Sequence, residues 1–139
     1  MNAERSFLFV GSLSGLVAVA AGAFGAHGAQ AFLSSQALAI YDTAVRYQML
    51  HAVALCIVAF VCTRTDARAA RVAGVLFAVG TLLFCGALYL HSLAGMRPAA
   101  RLAPFGGTSF IAGWACLAWA ALRVGRTPRS RTGDIRSPH

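Results

Sequence analysis

The chain has 139 residues, of which 58% are hydrophobic and 12% charged, and its formal charge is +8. An average soluble domain is about 45–50% apolar and about 25% charged, so water is excluded as the solvent for most of this surface. The positive charge does not mark a nucleic-acid surface, which interleaves basic residues with exposed aromatics and presents a groove-reading element, so no nucleic-acid partner is expected.

Four stretches, 6–26, 44–62, 72–90 and 105–124, stay apolar over a membrane thickness and contain no acidic residue. About 20 such residues cross a bilayer as a helix, because hydrocarbon offers no partner to a bare backbone amide and a helix pairs its own. The expected fold is an all-α membrane protein, a four-transmembrane-helix bundle occupying residues 1–124. Residues 125–139, basic and interrupted by Pro128, are too polar to pack and are expected to form a disordered cytoplasmic tail.

In the first stretch Gly11, Gly15, Ala18, Gly22 and Gly25 recur at steps of four and three, so small residues line one helix face. Such a face lets another helix approach closely, and close packing drives helix association in lipid. Arg5, the apolar run and Ala21-Gly22-Ala23 together imitate a secretory leader. A discarded leader has no use for a packing face, so the segment is read as a retained span.

Before the second stretch, Ser34 or Ser35 is placed to cap a helix, and Leu38, Tyr41, Val45 and Met49 then recur at helical spacing. One long helix is predicted, an interfacial amphipathic extension first and a span after it. Arg46 lies inside the second window, near enough to an end to snorkel. His51 falls about 10 Å into the span counted from Ala44, with Tyr47 and Gln48 one turn before it on the same face.

A short loop, Thr63 to Arg71, leads to the third stretch, and a longer one, His91 to Pro104, uses Gly95, Pro98 and Pro104 to stop one helix and start the next. Gly106 and Gly107 open the fourth stretch as a further small-residue contact. Trp114 and Trp119 within it read as packing residues or headgroup anchors.

Every basic side chain is an arginine. With an even number of spans, the N-terminus, the second loop and the tail share a side. That side holds nine arginines, Arg5, Arg64, Arg68, Arg71, Arg123, Arg126, Arg129, Arg131 and Arg136, against Arg46, Arg97 and Arg101 on the other. Arginine-rich short loops stay in the cytoplasm, so both termini are expected there.

The same topology brings His27, His51 and His91 toward the outer face. Imidazole is a common metal ligand, and these three are the weak candidates for a metal or haem site. The plainer reading leaves His27 and His91 wet at the interface and gives His51 a hydrogen bond to a facing helix. His27 is its expected partner. Cys56, Cys62, Cys85 and Cys116 lack any CxxC or zinc spacing and read as small apolar residues.

The motifs Gly22-Ala23-Phe24-Gly25-Ala26-His27, Thr43-Ala44-Val45-Arg46-Tyr47-Gln48-Met49-Leu50-His51-Ala52, Gly86 with Leu88-Tyr89, Pro104-Phe105-Gly106-Gly107 and Gly113-Trp114 stand in order along the chain. Together they resemble the YgdD/YwdK family of small bacterial membrane proteins, a domain of unknown function with a mitochondrial relative. The resemblance covers the chain to about Val124 and implies a four-helix inner-membrane protein of unassigned role. It places family motifs on His27, Tyr47, Gln48, His51, Gly106 and Gly107. His91 departs from the apolar or small residue that the resemblance implies, which leaves His27 with His51.

No Ser–His–Asp set, P-loop or carboxylate pair is evident in the sequence. The protein is therefore read as a non-enzyme without a cofactor, an accessory or scaffold protein that binds lipid, another membrane protein or a second copy of itself. The alternatives are a small oligomeric transporter or channel, for which His51 alone could carry a proton, and a histidine-based metal or haem site.

Overall fold

The first helix, α1, spans Ala3–His27, and its 25 residues make a rod of about 38 Å. A single 3-10 turn, Ala29–Ala31, reverses the chain. Ser34 then holds extended backbone and accepts the Ala37 N–H on its hydroxyl at 3.2 Å. That cap satisfies one of the amides a helix start leaves bare, and from it α2 runs over Ser35–Arg64. The amphipathic stretch and the span are thus one helix of 30 residues, about 45 Å long. The computed structural model describes residues 2–65 and 68–124, and among these there is no strand.

The next rod is built in three pieces: α3 (Arg68–Gly80), a π-helical turn (Thr81–Cys85) and α4 (Gly86–Ala94). Gly80 and Gly86 flank the π turn, and the Thr81 hydroxyl donates to the Phe77 carbonyl at 2.8 Å. A hydroxyl bonded back along its own helix is a local device that bends the ladder. Gly95 ends α4 at φ 65°, in the left-handed region where a Cβ would be strained, and Met96 N–H bonds back to the Leu90 carbonyl at 3.3 Å. A 3-10 stretch, Arg97–Leu102, leads into α5 (Ala103–Ala121), with Pro104 in its first turn, where a missing amide costs least.

Three of these rods, Ala3–Ala31, Ser35–Arg64 and Arg68–Ala94, are long and apolar enough to cross a membrane. The fourth, α5, has 19 residues, but Pro104, Gly106, Gly107, Thr108 and Ser109 dilute the hydrophobicity of its first two turns.

The central helix is α2, with α1 along one side and the α3–α4 rod along the other, and α5 lies against α3. Leu55, Val58, Phe77, Cys85, Phe110 and Leu117 form the core. Leu16, Val19, Leu82 and Ile111 project outward, as a surface solvated by acyl chains requires.

Backbone proximity sets two of these contacts. A Cβ at Gly11 would lie 2.9 Å from the Ala52 carbonyl oxygen on α2, and one at Gly106 would lie 2.5 Å from the Phe84 backbone nitrogen. Phe84 belongs to the π turn, so the backbone bulge there is received by a bare position on α5. The α3–α5 seam is reciprocal: the Phe77 ring lies over Gly113 and the Phe110 ring over Gly80.

A candidate functional site around the buried imidazole of His51

His51 is 1% exposed and stands 16 residues after the start of α2, about 24 Å along a rod of about 45 Å. It therefore lies near the middle of its helix, about 10 Å beyond Ala44 as the residue count implies. Its ring stacks on Phe110 of α5 with centroids 3.5 Å apart and planes 11° apart, and Phe77 of α3 closes on it at 5.5 Å.

Both ring nitrogens have partners. Nδ1 lies 2.8 Å from the Tyr47 carbonyl oxygen, one turn back on α2. The indole N–H of Trp114 on α5 donates to Nε2 at 3.3 Å. An indole only donates and a carbonyl only accepts, so these partners require a neutral imidazole with its hydrogen on Nδ1. Nε2 then accepts, and the lone pair a metal would use faces the indole.

One turn back, Gln48 ties three helices together. Its amide nitrogen donates to the Ser14 carbonyl on α1 at 3.3 Å, and its amide oxygen accepts the Tyr89 hydroxyl from α4 at 2.8 Å. Two turns before Gln48, the Tyr41 hydroxyl donates to the Ala21 carbonyl on α1 at 2.7 Å, and its ring meets that of Tyr89 edge-on at 5.3 Å. Ser109 of α5 donates to the Leu76 carbonyl of α3 at 2.8 Å. Each of these side chains bonds a different helix from its own, as polar groups do when lipid provides no competing water.

The candidates read from the sequence separate into two groups. Tyr47, Gln48 and His51 come together, although Tyr47 contributes through its backbone carbonyl and through its ring, which packs on Phe84 at 4.7 Å between centroids. His27 does not join them: it is exposed at the C-terminal end of α1, and the place expected for it beside His51 is held by Trp114. His91 is half-buried on α4, with its Nδ1 buried and without a hydrogen-bond partner. No three His, Cys, Asp or Glu side chains converge as a metal set among the described residues. His27, His51 and His91 therefore do not form the triad that their shared membrane face allowed.

The six glycines divide as well. Gly11, Gly25 and Gly106 face atoms that leave a Cβ no room, whereas at Gly15, Gly22 and Gly107 it would meet its nearest neighbour at 3.4–3.9 Å, an ordinary contact. Sequence reasoning missed Tyr41, Tyr89 and Trp114 as polar partners. Two of the three stand in the Leu88-Tyr89 and Gly113-Trp114 motifs, which was the available signal.

Comparison with known proteins adds a family. The model of a protein family of unknown function, DUF423, matches residues 21–107. The UPF0382 membrane protein YwdK of Bacillus subtilis is 35% identical over 120 residues, 86% of this chain and 98% of its own length. The UPF0382 inner membrane protein YgdD of Escherichia coli is 35% identical over 123 residues, 88% of this chain and 94% of its own. A UPF0382 membrane protein of Haemophilus influenzae is 37% identical over 120 residues, 86% and 96% of the two chains. No solved structure matches.

Proposed function

The chain belongs to the DUF423 family, whose members include the membrane proteins YwdK and YgdD, and from that premise we propose that it is a four-span inner-membrane protein working as a non-enzymatic scaffold or accessory subunit. In this reading α5 is the fourth span, lying along α3, and both termini face the cytoplasm. The excess of arginine beside the N-terminus, the second loop and the tail supports that orientation. YgdD is named an inner membrane protein, which supports the location.

The observation that carries the scaffold reading is the state of His51. An intramembrane imidazole is by default a functional candidate. Here it accepts from Trp114 and donates to Tyr47, so its chemistry is committed to holding α2 against α5. Meanwhile α1 is attached chiefly through α2 and leaves Leu13, Leu16 and Val17 outward, an apolar face long enough to meet another membrane protein or a second copy.

A photo-crosslinking residue at Leu16, activated in native membranes, tests this directly. The scaffold reading expects one discrete protein adduct, either a dimer of this chain or a fixed heterologous mass. Adducts to lipid alone would overturn it.

A further inference from the structure

We infer that the groove between the first turns of α1 and the last turns of α2 holds one acyl chain of an anionic phospholipid, with the lipid phosphate between Arg5 and Arg64. This rests on the reading of α1 and α2 as membrane spans. The groove has a volume of about 310 Å³, and Leu8, Cys56, Ala59 and Phe60 make its wall apolar. Arg5 and Thr63 also line it. The guanidinium carbon of Arg64 sits 4.9 Å over the ring of Phe60, so a second cation is held against the same slot by cation–π attraction.

An apolar slot and a cationic rim at the end of a span together select one kind of molecule. Free phosphate would gain nothing from the slot. A neutral hydrocarbon would gain nothing from the guanidinium groups. A phospholipid satisfies both, chain along the helices and phosphate at the rim. The sign of the surroundings favours an anionic headgroup over a zwitterionic one. Antiparallel packing gathers Arg5, Arg64, Arg68, Arg71 and Arg123 at this end, all exposed, and among the described residues Glu4 is the carboxylate beside them. Glu4 also lines the groove and offsets one of these charges, which leaves the rim positive.

The opposite end supplies an internal control. Arg97 and Arg101 are exposed there as well, but they lie on the 3-10 stretch before α5 and not on this groove.

Native mass spectrometry of the full-length protein, released from nanodiscs of equal phosphatidylglycerol and phosphatidylcholine, reads the occupant. The expected result is one retained phosphatidylglycerol. Retention should fall about fivefold in Arg5→Gln and again in Arg64→Gln, as the loss of one surface arginine each implies. Leu8→Trp, which fills the slot and leaves the charges in place, should lose the lipid as well. Arg97→Gln and Arg101→Gln should retain it. Equal retention of the two lipids, or equal loss from variants at either end, would overturn the site and leave only diffuse charge. If instead the protein were recovered outside the membrane fraction without lipid, the span reading would have failed, a result distinguishable from retention without preference.

Discussion

The indole of Trp114 meets the imidazole of His51 edge-on, with planes 60° apart and its N–H directed at Nε2 across 3.3 Å. Because the other nitrogen already faces the Tyr47 carbonyl, the geometry fixes which tautomer the ring adopts. Nitrogen-15 spectra of selectively labelled protein in detergent should show a neutral His51 with a protonated Nδ1 and an unprotonated Nε2. A signal from the opposite tautomer would mean that the indole contact does not persist.

Gly11→Ala and Gly106→Ala should each lower thermal stability in detergent by about 1–3 kcal/mol, the usual cost of inserting atoms into a filled contact. Gly15→Ala and Gly107→Ala should stay within about 0.5 kcal/mol of the parent, since their Cβ atoms enter ordinary contact at 3.8 and 3.9 Å. Uniform sensitivity at all four positions would show that the small-residue face packs as a whole and not at these two points.

The sequence made the four helical rods and their order legible, because length and apolarity are local properties, and three of the four are long and apolar enough to cross a membrane. It also singled out Gln48 and His51, since polar groups stand out in an apolar run. Their partners were not legible. Gln48 reaches Tyr89 and His51 reaches Trp114 across 41 and 63 residues of chain. Which residues meet depends on how each helix is rotated about its axis, and a membrane helix that is apolar on every side leaves that rotation weakly marked. Topology placed His27 toward the same end as His51 but could not say that it faces outward. The π turn at Thr81–Cys85 was equally hidden: Gly80 and Gly86 bracket it, yet paired glycines in a span read first as packing positions.

Tyr89→Phe should cost about 0.5–1.5 kcal/mol, because Gln48 loses the donor to its amide oxygen. Gln48→Leu should cost more, since it removes one tie from α2 to α1 and one to α4 together. Melts of the two variants in one detergent check the order, and an equal loss would show that the longer 3.3 Å bond to the Ser14 carbonyl contributes nothing.

Orientation is tested with two fusions. A reporter active only in the cytoplasm should function after His139 and fail after Gly95, because the arginines concentrate beside the termini and the second loop. The reverse pattern would invert the membrane side assigned to the arginine-rich rim.

The central claim is that His51 acts as a tie between helices, and a double-mutant cycle on melting in detergent tests it most directly. His51→Phe and Trp114→Phe each strand or remove a buried partner and should cost about 1–3 kcal/mol. The double variant, which leaves neither group unpaired, should be more stable than the sum of the two losses by about 1 kcal/mol. His51→Phe and His27→Phe should simply add. Additivity between His51 and Trp114, with coupling between His51 and His27 in its place, would contradict the account and return the two histidines to a shared site.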